Sequence, residues 1–167
     1  MAVQAARSTR TNLALILGGV LSLGGCASVV SPTDTLGALG PVEAALTKDR
    51  HSLEVAAQGG DAQAQMALSI VLAYGLGGSP SFSEAQTWRA RAVQPRGTQP
   101  ITQYTAAFNG APSRINIINI PRYDISSAQI VLIDRCTGWL SGRAVNPAAC
   151  GTLEASAALK ERWDRAR

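Results

Sequence analysis

The sequence has few of the side chains that carry most enzyme chemistry. It has one histidine, three cysteines and only 5% aromatic residues among its 167 residues. His51 follows Lys48, Asp49 and Arg50 on a predicted polar helix face, so we interpret it as a surface residue rather than a catalytic one. One histidine and three cysteines, of which Cys136 and Cys150 are expected to pair with each other, leave too few ligands for a metal site. These absences predict that the chain is not an enzyme and uses no metal or cofactor.

Catalytic sequence motifs are also absent. The chain has neither a G-x-x-x-x-G-K-[ST] phosphate loop nor a G-x-S-x-G nucleophile elbow. The glycines from Gly75 to Gly78 have no neighbouring lysine, and we interpret them as a helix-ending turn. Asp124 and Asp134 are ten residues apart, and nothing places them in one cleft as an acid/base pair. The sequence therefore indicates no small-molecule substrate.

Neither a membrane-spanning segment nor a nucleic-acid-binding cluster is predicted. The N-terminal apolar stretch from Leu13 to Leu23 has eleven residues, whereas a spanning helix needs about 20. The net charge is +4, but no dense basic cluster contains interleaved aromatics, so we expect no nucleic-acid partner. The basic C-terminal residues suit a solvated helix end, or else a contact with lipid or glycan phosphates. They are Lys160, Arg162, Arg165 and Arg167.

The N-terminus has the layout of an export signal. Arg7 and Arg10 precede the apolar stretch, which ends in Leu23-Gly24-Gly25-Cys26. These four residues resemble the lipobox of bacterial lipoproteins, although Gly24 stands where Ala or Ser is usual. The resemblance implies a signal peptide over residues 1–25 and an acylated Cys26. Ala27, in place of Asp, implies the outer membrane, facing the periplasm. The alternatives are a secreted protein with an unmodified cysteine and a poor transmembrane anchor.

The remaining chain is sized for one domain. Removing residues 1–25 leaves 142 residues with 13 basic and 11 acidic side chains. Residues 26–40 comprise the lipidated cysteine and a segment with weak periodicity, which we interpret as a flexible tether. Its fourteen residues after Cys26 reach at most about 45 Å.

Three helices are predicted between residues 41 and 94. The first begins at Pro41 and ends at Gly59 and Gly60. Asp61 is placed to cap the second, which the glycines after Tyr74 end. Ser81 and Glu84 have the spacing of a capping box for the third helix, and Pro95 ends it.

The residues that pack these helices resemble a Sel-one-like repeat, a helix-turn-helix unit related to tetratricopeptide repeats. The matching positions are Gly60, Ala64, Gln65, Leu68, Gly75, Gly77, Ala85, Trp88 and Ala92. The resemblance covers residues 41–94 and implies an adaptor that holds peptides or helices. Because such units bury their faces against neighbours, we expect residues 95–167 to cover this one.

The segment 97–123 interrupts the helical pattern with prolines and glycines. Within it, Arg114 to Ile120 is rich in isoleucine and partly alternating, so an extended conformation is predicted. It is either an ordered loop packed on the helices or an exposed strand edge that accepts a partner's strand.

Two further helices are predicted near the C-terminus. Ser126 or Ser127 caps one that runs to about Leu140, and Thr152 caps the last, with Leu153 and Trp163 among its inward residues. In an oxidising compartment Cys136 and Cys150 are expected to form a disulfide that ties these helices into a hairpin. Two buried thiols or a redox pair are the alternatives, although the spacing is not Cys-x-x-Cys.

The sequence thus predicts an all-α fold, with a tetratricopeptide-type repeat and a C-terminal helical hairpin joined by an irregular or short-strand segment. The predicted function is that of a non-catalytic envelope lipoprotein that binds an unidentified envelope protein. Two alternatives are a pilotin-like assembly factor for an outer-membrane complex, and a peptidoglycan-binding module or envelope enzyme.

Overall fold

A computed structural model describes residues 37–107, 109 and 112–167. Within these residues the chain is mostly helical, with one small antiparallel sheet. The elements in order are α1 (Gly40–Thr47), α2 (Arg50–Gln58), α3 (Ala62–Tyr74), α4 (Phe82–Ala92), β1 (Thr98–Thr105), β2 (Arg114–Pro121), α5 (Ser127–Leu140), a 3₁₀ turn (Pro147–Cys150) and α6 (Leu153–Ala166).

The sequence predicts a single helix from Pro41 to Gly59 and Gly60, but this segment forms two helices, α1 and α2. That prediction is therefore wrong. Lys48 is extended, with ψ of 143°, and ends α1. The Asp49 carboxylate then accepts hydrogen bonds from the Ser52 hydroxyl and the Ser52 amide and caps α2. These bonds, the hydroxyl first, lower the pKa of Asp49. An aspartate favours a cap over a helix interior because its side chain competes for backbone donors, which explains the break.

α3 is the central helix of the fold. Its residues are apolar on nearly every side, and it packs against α1, α2 and α4. Asp61 caps it by accepting hydrogen bonds from the amides of Gln63 and Ala64, as predicted. Gly75 ends it with φ of +65°, and an added Cβ would lie 2.9 Å from the Gly78 carbonyl oxygen. The glycine there is therefore required by both conformation and space.

α4 returns antiparallel along α3, but the predicted capping box is not formed. Ser81 is the N-cap of α4, yet its side chain makes no capping hydrogen bond. Its amide donates instead to the Leu72 carbonyl oxygen at 2.9 Å. A capping box needs that amide as the donor to Glu84, so the contact with α3 takes the place of the box.

The C-terminal helices pack against α1 and reach α3 and α4 through individual side-chain contacts. Ser126, not Ser127, caps α5, and Thr152 caps α6. The Cys136–Cys150 disulfide is formed, as expected. It joins α5 to the 3₁₀ turn before α6, and so ties α6 only indirectly, because Cys150 precedes that helix.

Contacts between four helices join α3 and α4 to the C-terminal helices α5 and α6. The ring of Trp163 in α6 meets Tyr74 of α3 edge to face at 4.8 Å between centroids. The Gly77 amide donates to the Ala166 carbonyl oxygen at 2.7 Å, and Arg89 of α4 pairs with Asp134 of α5. The core is therefore continuous from α1 to α6.

The expected tether is shorter than residues 26–40. Leu39 is buried, and the Ala38 carbonyl oxygen accepts a hydrogen bond from Gln129 of α5 at 3.1 Å. The helix α1 begins at Gly40, so residues 38–40 belong to the folded body. The predicted signal peptide, Cys26 and the predicted tether up to residue 36 lie outside the described residues.

Candidate interaction surface

The residues of the predicted repeat lie in and next to the α3–α4 pair, as core and turn residues. Ala64, Gln65 and Leu68 are buried in α3, and Ala85 and Ala92 are buried in α4. Trp88 is half-buried, with the Arg91 guanidinium 4.7 Å from its ring centroid, so it lies at the edge of the core. Positive φ angles occur at the three glycines Gly60, Gly75 and Gly77.

A shallow groove lies between α3, α4 and α5. Its cavity of about 130 Å³ is lined by Ile70 and Tyr74 from α3 and by Phe82 from α4, whose side chain is exposed. The Arg89 guanidinium donates to both carboxylate oxygens of Asp134 at 2.8 and 2.9 Å across this groove. The ion pair leaves room for only a small apolar side chain, so the groove is a minor surface.

The sheet consists of two strands that stand away from the helices. β1 pairs with β2 in antiparallel register, and Thr102 lies opposite Ile117. All eight residues of β1 and seven of the eight in β2 are exposed. The extended conformation predicted for Arg114 to Ile120 is therefore confirmed, and the alternative of packing on the helices is wrong. The partner strand β1 was not predicted.

Large apolar side chains occupy both faces of this hairpin. Opposite residues share a face, so one face carries Tyr104, Ile115 and Ile117, which are 66%, 68% and 70% exposed. The other face carries Ile101 and Ile118, which are also exposed. An isolated two-stranded hairpin is marginally stable in water, and such a contiguous apolar surface indicates an interaction site.

The two outer edges of the hairpin differ. The Arg122 amide donates to the Gly97 carbonyl oxygen at 3.0 Å, and hydrogen-bonding positions alternate along an antiparallel ladder. The backbone of Pro100 therefore faces outward from β1, where it offers no N–H and interrupts the edge. On β2, the outward positions are Ile115, Ile117 and Asn119, and each has an N–H group.

The base of the hairpin is fixed to the body by Arg96. Its guanidinium donates to the Gln65 side-chain oxygen at 3.1 Å and lies 3.4 Å from the Asp124 carboxylate. Gln65 is buried and donates to the Ala57 carbonyl oxygen at 2.9 Å. Because Gln65 is held on both sides, it connects the hairpin base rigidly to α2 and α3.

The hairpin segment is cationic. Residues 96–123 contain three arginines and no aspartate or glutamate. Arg96 is neutralised by Asp124 at the base, whereas Arg114 and Arg122 are exposed at the two ends of β2. The surface thus combines isoleucines with positive charge at each end of one strand.

The titratable residues considered as catalytic candidates, His51, Asp124 and Asp134, lie apart from one another. His51 is exposed on α2. Asp124 pairs with Arg96 and Asp134 pairs with Arg89, on separate parts of the surface. In residues 37–107, 109 and 112–167, no three His, Cys, Asp or Glu side chains form a group that could hold a metal ion. No helix in the same residues is long and apolar enough to cross a bilayer.

β1 is the part of this surface that sequence reasoning missed. Its Thr98, Ile101, Thr102, Tyr104 and Thr105 are residue types enriched in strands. Pro100 interrupts them, and proline counts against a strand unless the strand lies at an edge. Assigning this segment as an edge strand would have allowed for Pro100 and predicted β1.

Comparison of the chain with protein-family models, with curated proteins and with solved structures finds no match in any of the three.

Proposed function

We propose that this chain is a non-catalytic envelope lipoprotein that binds a protein partner through its β-hairpin. The observation that carries the proposal is the exposure of Ile and Tyr side chains on both faces of a hairpin fixed to a helical body. Burying one exposed isoleucine contributes roughly 1.5–3 kcal/mol. Ile115 and Ile117 would therefore offset a substantial part of the free-energy cost of association.

The physical chemistry of the hairpin favours a protein over a lipid as the main partner. Both outer edges carry backbone groups that need hydrogen-bond partners. Hydrocarbon offers none, so insertion would leave each outward N–H and C=O group unsatisfied at a cost of several kcal/mol. A protein can cover the apolar faces and also pair with an edge.

We also propose that α3 and α4 form a Sel-one-like unit that serves as the rigid support. Support comes from the nine matching residues, which occupy core and turn positions of a helix pair. In this proposal the unit contributes the groove near Phe82 as a secondary contact, while α5 and α6 contact it through the Arg89–Asp134 and Tyr74–Trp163 pairs.

Replacement of the predicted lipid-bearing residue tests the anchor. We expect Cys26→Ser to move the protein from the membrane fraction to the soluble fraction, because the acyl chains have no other attachment point. Ser28→Ala, two residues further on, is the matched control and should leave fractionation unchanged. A Cys26→Ser protein that still sediments with the outer membrane would contradict the lipobox interpretation.

Site-specific photocrosslinking in intact cells tests the interaction surface. A photoreactive amino acid at Ile117 should give one discrete crosslinked product. The same amino acid at Val55, which is 57% exposed on α2, should give none. Both positions are apolar and exposed, so non-specific hydrophobic contacts would give crosslinks at both. Equal products from the two positions would refute the hairpin as the binding surface.

A further inference from the structure

We propose that the outer edge of β2 accepts an extended, acidic segment of the partner as a third strand. The inference rests on the proposed function, because it names the chemistry of the partner at the same hairpin. Addition of a strand would convert a two-stranded hairpin into a three-stranded sheet, which is the smallest sheet with independent stability.

The difference between the two edges selects β2. Pro100 interrupts the outer edge of β1 because it has no N–H to donate. Ile115, Ile117 and Asn119 present N–H and C=O groups along β2 without interruption until Pro121. A strand of about five residues can therefore form a regular ladder on β2 but not on β1.

Charge specifies the composition of the added segment. Arg114 and Arg122 flank the open edge, and eight residues of strand separate them by about 27 Å. No carboxylate occurs between residues 96 and 123 to neutralise them. A segment with apolar residues alternating in its centre and carboxylates at its ends complements both the isoleucines and the two arginines.

A second copy of the chain fits the edge less well. In a two-fold antiparallel pairing of two β2 edges, residues on the same face must lie opposite one another. The two registers that overlap the most of β2 have the symmetry axis at Ile117 or Ile118. Both registers place isoleucines opposite asparagines, and the second also places Arg114 opposite Arg122. Cross-strand pairs of this kind contribute little, and opposed like charges destabilise the pairing.

Peptide binding tests the edge and the charge separately. The protein is the full-length chain with its disulfide intact. The probe is a fluorescent peptide of about nine residues, with alternating valine and threonine in the centre and glutamates at both ends. Binding is followed by fluorescence anisotropy at low salt. A peptide with lysines in place of the glutamates should bind about ten-fold more weakly.

Matched proline variants test the edge. Ile117→Pro removes an outward N–H from β2, whereas Thr102→Pro, directly across the ladder, removes one from the already interrupted edge of β1. We expect Ile117→Pro to weaken binding by about ten-fold or more, since it removes a ladder hydrogen bond and an apolar contact. Thr102→Pro should bind within about two-fold of the unaltered protein.

Charge reversal tests the acidic composition without altering the strand backbone. The double variant Arg114→Glu/Arg122→Glu should lose affinity for the glutamate peptide and gain affinity for the lysine peptide. Equal binding of both peptides, or equal losses in the two proline variants, would overturn the inference. So would self-association that Ile117→Pro abolishes, or binding to anionic phospholipid vesicles with no binding to either peptide.

The peptide and crosslinking results distinguish the two proposals. If Ile117 crosslinks to a discrete partner but neither peptide binds, strand addition by an acidic segment is wrong and the proposed function stands. If Ile117 and Val55 crosslink equally and neither peptide binds, both proposals fail.

Discussion

Replacing Trp163 with alanine should lower the free energy of unfolding by about 4 kcal/mol. Trp163 is fully buried in α6 and is one of the largest side chains in the core. Its ring meets Tyr74 at the end of α3, so it joins the last helix to the central one. Its removal would leave a large cavity at the contact that closes the fold. Urea denaturation at 25 °C, followed by circular dichroism, measures the change.

Two variants control this prediction. Leu153→Ala lies on the same helix, but its side chain is 72% exposed, so we expect a change within about 0.5 kcal/mol. Trp163→Phe keeps an aromatic ring and removes the indole N–H, which is buried with no hydrogen-bond partner in the described part of the chain. Because that N–H gains nothing from burial, the free energy of unfolding should fall clearly less in this variant than in Trp163→Ala. A loss below about 1 kcal/mol for Trp163→Ala would contradict the packing described here.

Loss of the disulfide should cost about 3 kcal/mol of folding free energy. Cys136 and Cys150 close a loop with a sequence separation of 14, and both are fully buried. The bond restricts the conformations available to the unfolded chain, and in the folded protein it holds the 3₁₀ turn against α5. The double variant Cys136→Ala/Cys150→Ala should therefore unfold at a lower urea concentration than the oxidised protein.

The reduced form of the natural sequence provides the matched comparison for the disulfide. Reduced and fully unfolded protein, allowed to refold with reductant present, should match the double variant to within about 1 kcal/mol. Native protein should resist the same reductant, because neither sulfur is accessible until the chain opens. Equal stability of the oxidised protein and the double variant would show that the bond does not constrain the unfolded chain.

Helix boundaries marked by a capping residue were predictable from the sequence. Asp61, Ser126 and Thr152 each accept a hydrogen bond from an amide two or three residues later. Their short polar side chains make these contacts within a few residues, so no knowledge of the tertiary fold is needed. The end of α3 at Gly75 was also predictable, because glycine readily adopts the left-handed conformation and its own amide bonds the preceding helical turn.

Features that depend on distant partners were not predictable in this way. Ser81 and Glu84 have the spacing of a capping box, but Leu72 in the preceding helix accepts the hydrogen bond from the Ser81 amide. Leu153 was expected inside because of its hydrophobicity, but it is exposed, whereas Ser156 three residues later is buried and donates to the Pro147 carbonyl oxygen. Tertiary contacts decide both outcomes.

Only one of the two strands of the candidate site was predicted from the sequence. The isoleucine-rich strand from Arg114 to Ile120 gave a clear signal, whereas its partner β1 was obscured by Pro100. The exposure of both strands is a property of the whole fold, since it depends on where α4 ends and α5 begins. Local patterns therefore identified one strand and left its exposure open.

The hairpin also has a consequence for how such a molecule can diversify. The Arg96 amide donates to the Arg122 carbonyl oxygen at 2.7 Å, so the chain leaves and re-enters the helical body at nearly the same point. Residues 98–121 therefore form an exchangeable module. Its sequence can be altered, or replaced by a short connection, while the core from α1 to α6 keeps its contacts. In the proposed function, partner choice can thus change independently of folding, because the two depend on separate parts of the chain.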